Sequence, residues 1–350
     1  MSYTNGLDKP SDYFVSNLHT GNGGTLNITS LDFQPDWVWV KERNNAKDHA
    51  LYDSVRGANK LLESNKTGVE ATTSAGISSF NSDGWTTGDF FQTNDNGDSY
   101  VSWNWKAGTT GSGTTTGSGT GKAYSYSVST TAGFSIVKYV GNGTAGHTIP
   151  HHLGVVPKMM VIKKLSGTGS WYVYSSVLGN NKAVYWNSSS AEDTENTIWN
   201  QTTPSSSVMT LGSSNASNEN DQSYVVYLFA DIQGYSKVSG SYTGNGNADG
   251  TFVYTGFKPG FFMAKRIDAS DMPWVMIDNK RNSFNALSNT LLANSAEAAN
   301  TGTDRADFLS QGVKIRTTSG AWNASGASFI FMAFAENPFV TSTGVPATAR

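Results

Sequence analysis

The sequence predicts an all-β protein: three tandem antiparallel β-sandwich units, jelly-roll or lectin-like, with minor helix. Two observations predict it. Aromatic residues make up 12% of the chain, with 10 Trp, 15 Tyr and 17 Phe set among 37 Gly and abundant Ser, Thr and Asn. Aromatic residues suit half-buried pleated surfaces, while Gly, Asn and Ser suit the turns between them. The second observation is internal repetition, because one ordered set of landmarks occurs three times.

Each repeat opens on Gly-Asn-Gly, at Gly21-Asn22-Gly23, Gly141-Asn142-Gly143 and Gly244-Asn245-Gly246. A proline follows the first glycine by 14, 16 and 15 residues, at Pro35, Pro157 and Pro259. A lysine stands six residues beyond each proline: Lys41, Lys163 and Lys265. Next come the aromatic segments Leu51-Tyr52, Trp171-Tyr172-Val173-Tyr174 and Trp274-Val275-Met276-Ile277. Each repeat closes on an apolar run ending in Trp105, Phe229 or Phe334, which lie 70, 72 and 75 residues after the proline. Near-equal spacing of four ordered landmarks marks repetition rather than chance.

The units are 1–107, 123–236 and 237–341. Between the first two, residues 108–122 are almost wholly Gly, Thr and Ser, which reads as a flexible linker that lets the first unit swing. Residues 342–350 read as a C-terminal arm or disordered end.

Within a unit, the run after the proline is apolar on consecutive residues, as in a strand buried on both faces. The proline belongs at the strand entrance, because it cannot donate to a ladder. The lysine is expected where the strand emerges into solvent. The Gly-Asn-Gly sites supply positive φ for tight turns. Residues 58–65 and 286–299 are the short helix candidates.

The chain has no Cys, which excludes disulfides, thiolate zinc sites and a Cys nucleophile. Its net charge is −3 with no basic patch, so nucleic acid is not an expected partner. No stretch approaches a membrane span, and the N-terminal residues lack the apolar core of a signal peptide. The expected origin is the cytoplasm, with release on a particle.

Lectin-like sites stack sugars on exposed Trp and bind hydroxyls with Asp or Asn. Asp83 and Trp85, Trp186, and Trp322 with Asn323 fit that description. The competing reading is that each Trp is a core residue, its commoner fate. Asp95, Asn96 and Asp98 lack the spacing and distal Glu of a calcium loop and read as a hairpin turn. His147, His151 and His152 share one loop without metal-ligand spacing. Asp36, Glu42, Asp83 and Asp89 supply carboxylates, but Glu42 aligns with Lys164 and Arg266, so these read as surface charge. No nucleophile-elbow motif is present. No catalytic residue, metal or cofactor is assigned.

Several segments together resemble a family of marine phage tail and virion proteins, built on a domain of unknown function often repeated in one chain. They are residues 33–41, 51–57, 79–85 and 100–108, with the ending Ala333-Phe334-Ala335-Glu336-Asn337-Pro338-Phe339. Unit two departs furthest, having no Asp-Gly-Trp. The resemblance implies a structural virion component, a tail fibre or appendage subunit. Its expected partners are other tail or capsid proteins and a host surface glycan. A homo-oligomer, by analogy a trimer, is the expected state. A capsid decoration or head-fibre protein is the alternative, and a polysaccharide depolymerase a lesser one, since no short-period β-helix repeat is visible.

Overall fold

The computed structural model describes residues 6–348, so the first residues of the N-terminal segment and the end of the arm lie outside it. The described residues are all-β, in antiparallel sheets with two four-residue helices and no barrel. Four strands of unit one are β1 (Phe14–Thr20), β2 (Trp37–Glu42), β3 (Ala50–Asp53) and β4 (Ser99–Trp105). Unit two has β5 (Phe134–Val140), β6 (Met159–Lys164), β7 (Tyr172–Ser175) and β8 (Ser223–Phe229). Unit three has β9 (Ser236–Thr243), β10 (Phe257–Arg266), β11 (Trp274–Asp278) and β12 (Ser328–Pro338). The sheet orders are β1-β4-β2-β3, β5-β8-β6-β7 and β9-β12-β10-β11, so the same order recurs three times.

Registers fix which residues correspond. Trp39, Val161 and Met263 pair with Trp103, Tyr227 and Met332. Trp37, Met159 and Phe261 pair with Asp53, Ser175 and Asp278.

Consecutive apolar residues of β2, β6 and β10 do face two cores. Val38 and Val40 join Ile77 and Trp85 in a layer private to unit one. Met160 and Ile162, and Phe262 and Ala264, do the same in the other units. The alternate residues Trp37, Trp39, Met159, Val161, Phe261 and Met263 meet in one core shared by all three units. There Trp37 stacks on Tyr227 at 4.7 Å, Trp103 meets Phe261 at 5.6 Å, and Phe229 meets Phe334 at 6.0 Å. Three separate tandem sandwiches are therefore not what the packing shows. Each unit has its own apolar layer, but its second face is covered by its two neighbours.

The flexible linker is a correction. Thr109–Thr114 is a strand paired with Ala123–Ser129, which in turn pairs with β5. Gly111 and Gly113 sit opposite Tyr126 and Tyr124, whose rings lie where a Cβ would stand. The tyrosines cover the bare glycine backbone from water and supply the packing that the linker's own residues lack. Asp36, buried at the start of β2, ties this region down. It accepts from Ser54 Oγ at 2.6 Å, from the Ala107 amide at 2.8 Å and from Ser127 Oγ at 3.1 Å. Unit one is thus bound into the body and has no hinge to swing on.

The helix candidates are a second correction. In 58–65, Lys60–Leu61 pairs with Ala71–Thr72, and Leu62 bridges Leu51. In 286–299, Leu291–Leu292 pairs with β11. Burial of Leu61, Leu62, Leu287 and Leu291 overrides the local preference. The helices are instead Phe91–Asn94 and Gly320–Asn323, just before the closing strands. Part of the arm folds back, with the Thr341 amide donating to Val345 and the Ser342 amide to Asp8.

Candidate functional site

The Gly-Asn-Gly motifs are parts of three matching latches. The amides of Asn22, Asn142 and Asn245 donate to the side-chain oxygens of Asn94, Asn218 and Asn323, at 2.8, 3.0 and 2.9 Å. Those three asparagines are fully buried. The first glycine of each motif presses against a backbone carbonyl, where a Cβ would stand 2.0–2.4 Å from Asp95, Glu219 or Ala324 oxygen. Only the third glycine carries positive φ, at +63°, +72° and +70°. Asn323, expected to bind ligand, spends its amide on Asn245, Asn247 and Thr317.

The tryptophans expected as sugar platforms are buried. Trp85 is inaccessible in unit one's layer and donates to Asn104 at 3.0 Å. Trp186 lies in the shared core, parallel to Trp37 at 6.2 Å. Trp322 is 2% exposed. Asp83 alone is exposed, and the structure brings none of the others to it. The reason is area: a Trp side chain carries the largest apolar surface of any residue, and here it is spent in the apolar layers beside Phe, Tyr and Met. Among the loop histidines, His147 sits between Asn218 and Thr115, His151 faces the Ser205 carbonyl, and His152 stacks on Tyr126 at 3.8 Å. They do not converge.

The expected solvent exit at the lysines is also corrected. Lys41, Lys163 and Lys265 are 0%, 1% and 0% exposed. Their ammonium groups are held by backbone oxygens: Lys41 by Glu42 at 2.7 Å, Lys163 by Gly169 at 2.9 Å and Thr67 at 3.2 Å, and Lys265 by Ser189 at 3.5 Å. Thr67 belongs to unit one and Ser189 to unit two, so two of these lysines span a joint. Burial pulls all three pKa values down from 10.5 to about 8. Between these values the unfolded chain holds more protons than the folded one, so stability rises with pH there. The unfolding free energy from urea titration should therefore increase from pH 8 to 9.5, by about 2–4 kcal/mol in all. Above pH 10 the trend reverses, because buried Tyr139, Tyr227 and Tyr235 titrate well above the ordinary value. Replacing the three lysines with Met should flatten the rise. A flat profile in the unaltered chain would show that the ammonium groups are solvated.

Further contacts close the three units into a ring. The Trp171 indole donates to the Glu63 carbonyl at 2.9 Å, from unit two to unit one. The Trp274 indole donates to the Tyr185 carbonyl at 2.8 Å, from unit three to unit two. His49 occupies the same position in unit one and reaches the Leu292 carbonyl of unit three at 2.9 Å. The Trp39 indole donates to His49 Nδ1 at 2.8 Å, so Nε2 carries the proton that Leu292 accepts. Burial, with Lys41 nearby, lowers the His49 pKa to about 3 and keeps it neutral. Asn65, Asn187 and Asn294 each accept from the backbone amide of the bridging residue. Three equivalent contacts, each to the next unit, define a pseudo-threefold arrangement.

One cleft stands apart from this structural machinery. It lies in unit three, beside Leu291–Leu292 and the helix Gly320–Asn323, and has a volume of about 180 Å3. Val275, Ala321 and Trp322 give it an apolar side, and Thr290, Glu297, Asn300, Arg305 and Ser319 a polar one. Thr290 exchanges both backbone hydrogen bonds with Asn300, at 2.9 Å each. Its buried hydroxyl has no partner, and neither has the buried Nε of Arg305. The Arg305 backbone is pinned by Leu287 and Arg316. Of the residues expected from sequence, only Trp322 lines this cleft. Thr290 and Arg305 were missed, although aligned units carry a signal. By strand register, Thr290 stands where units one and two place Leu61 and Ala183.

No helix among the described residues is long and apolar enough to cross a membrane. No curated protein and no solved structure matches the chain. A single family match runs across all three units, from residue 9 to residue 338, so the family's domain is the whole ring rather than one repeat. The chain belongs to the family described as Domain of unknown function (DUF7483).

Proposed function

We propose that this protein is a non-enzymatic binding protein of a virus particle, a tail-fibre or appendage subunit that holds a host-surface glycan in the cleft of unit three. One observation carries the glycan part. Two buried polar atoms without partners, the Thr290 hydroxyl and the Arg305 Nε, belong to residues that line one cleft beside an apolar wall containing Trp322. A ligand with both hydroxyls and an apolar face matches such a lining. The virion part is supported by the segment resemblance and by a chain without thiols whose units are locked together.

The test is binding of labelled full-length chain to host cells and to their extracted surface polysaccharide. Saturable binding that Arg305→Gln weakens at least tenfold supports the reading. Absence of binding at micromolar protein removes it. Trp85→Ala and Trp322→Ala are unsuitable probes, since both empty a core.

A capsid-decoration role is favoured by a different surface. Tyr254, 61% exposed, and Phe339, 39% exposed, line a shallow groove with Pro338 and Val340. Exposed aromatics of this kind suit a protein partner. Co-sedimentation with capsids that is lost in Tyr254→Ser would favour it.

A further inference from the structure

We infer that the unit-three cleft selects a sugar bearing a carboxylate, a hexuronic acid or comparable acidic pyranose, and that each chain has one such site. This rests on the glycan reading above and narrows it.

The argument begins with Arg305. Of the other described arginines, Arg56, Arg266, Arg281 and Arg316 each pair with an Asp or Glu, and Arg43, whose Nε is likewise buried without a partner, is not part of the cleft's lining. Arg305 has no carboxylate within ion-pair distance among the described residues, although Glu297 lines the same cleft. Its Nε is buried without an acceptor. A buried guanidinium N–H left unpaired is costly, and a carboxylate is the acceptor that matches its planar geometry. The second observation is Thr290, 5% exposed, whose hydroxyl also has no partner. Both residues line the cleft, which thus carries two unused donors. A neutral sugar hydroxyl would offer weaker acceptors than a carboxylate.

The rest of the lining fits the rest of an acidic sugar. Asn300 and Ser319 can serve ring hydroxyls, and Glu297 can accept from a hydroxyl while repelling a second acid group. Val275, Ala321 and Trp322 present the apolar side that a pyranose face needs. The space of about 180 Å3 suits one ring rather than a chain.

The count of one follows from comparison within the molecule. Leu61 and Ala183 replace the hydroxyl of Thr290 in the other units. Trp322 precedes latch Asn323, whereas Thr93 and Ser217 precede Asn94 and Asn218. The chemistry therefore exists in unit three alone, despite the threefold frame.

The test is calorimetric titration of the full chain with a uronic-acid disaccharide, its methyl ester and its neutral parent. The Trp322 indole signal in a nuclear magnetic resonance spectrum reports on the site. The acidic sugar should bind with one site per chain, at least tenfold tighter than the ester or neutral sugar, and should weaken as salt rises. Arg305→Gln should cost tenfold or more. Thr290→Val, which keeps the shape and removes the hydroxyl, should cost several-fold, and it keeps the test open if the Arg305 variant misfolds. Equal binding of acid, ester and neutral sugar at the Trp322 signal overturns the carboxylate inference and leaves the glycan reading standing. Binding with three sites per chain overturns the count. No response of the Trp322 signal to any of the three sugars at millimolar concentration overturns both.

Discussion

Residues 1–107, expressed alone, should not fold, and the intact chain should melt in one cooperative transition. Unit one gives Phe14, Trp37, Trp39, Trp103 and Trp105 to the shared core. Each such ring buries roughly 150–250 Å2, worth about 25 cal/mol per Å2. Excision therefore exposes surface worth roughly 20–30 kcal/mol, and even half of that exceeds the roughly 5–15 kcal/mol by which a domain is stable. The fragment would also leave the Asp53 carboxylate without the Tyr227 hydroxyl that donates to it at 2.7 Å. Circular dichroism and tryptophan fluorescence should show no sharp melt for the fragment, with dye binding to exposed apolar surface. The full chain should give coincident transitions by both probes. A fragment melting sharply near the temperature of the whole chain would mean that the units are independent domains after all.

How far the sequence discloses this depends on which residues are asked. Three repeats, the strand after each proline and its two buried faces are legible, because apolar side chains on consecutive positions have no other use in a strand. What covers the second face is not legible, since Trp39 reads the same whether it meets another sheet of its own unit or the Trp186 of its neighbour. Lys41, Lys163 and Lys265 mislead for a definite reason. A charge ordinarily marks solvent, and here backbone carbonyls make burial tolerable, from the lysine's own unit in all three cases and from an adjoining unit as well for Lys163 and Lys265. The strand at 109–114 is hidden because its stabilising groups, the rings of Tyr124 and Tyr126, belong to another strand. Trp85, Trp186 and Trp322 read alike as sugar platforms or as core residues, and only the packing shows them to be core. The cleft's own signal was a hydroxyl at Thr290 where the other units are apolar. That comparison needs strand register, which spacing alone does not supply.

Replacing Asp53 by Ala should destabilise the whole chain by about 2–4 kcal/mol, because it removes the buried carboxylate of the fully buried Arg56 guanidinium and leaves only the part-exposed Glu70, at 3.2 Å, to pair with it. Two of the three joints are built this way. Tyr227 of unit two donates to Asp53 of unit one, and Trp103 of unit one donates at 3.2 Å to Asp278 of unit three, which pairs with Arg281 at 2.6 Å. At the third joint the corresponding residues are Met332, Ser175 and Leu178, with Met332 and Leu178 both in the shared core. One chain therefore carries an ionic and an apolar solution to the same packing problem, and the second says how the first can be replaced. Combining Asp53→Ser, Arg56→Leu and Tyr227→Met removes the buried charge and its buried counterion together and leaves only Glu70, which reaches solvent, without its partner, so it should recover most of the loss caused by Asp53→Ala. It should not recover all of it. Arg56 also donates to the carbonyls of Leu51 and Lys60, at 3.1 and 2.8 Å. Arg281 serves the matching carbonyls of Met276 and Asn289. In unit two, where Leu178 replaces the arginine, the Trp199 indole donates to the Lys182 carbonyl instead, at 3.1 Å. Unit one has no such substitute at Lys60, although the Leu62 amide still donates to the Leu51 carbonyl at 3.1 Å, so the triple variant should remain about 1–2 kcal/mol below the unaltered chain, the cost of the donors that Arg56 takes with it. Urea unfolding of the three proteins measures the ranking. A triple variant less stable than Asp53→Ala alone would show that the ion pair itself, rather than the avoidance of an unpaired charge, holds this joint.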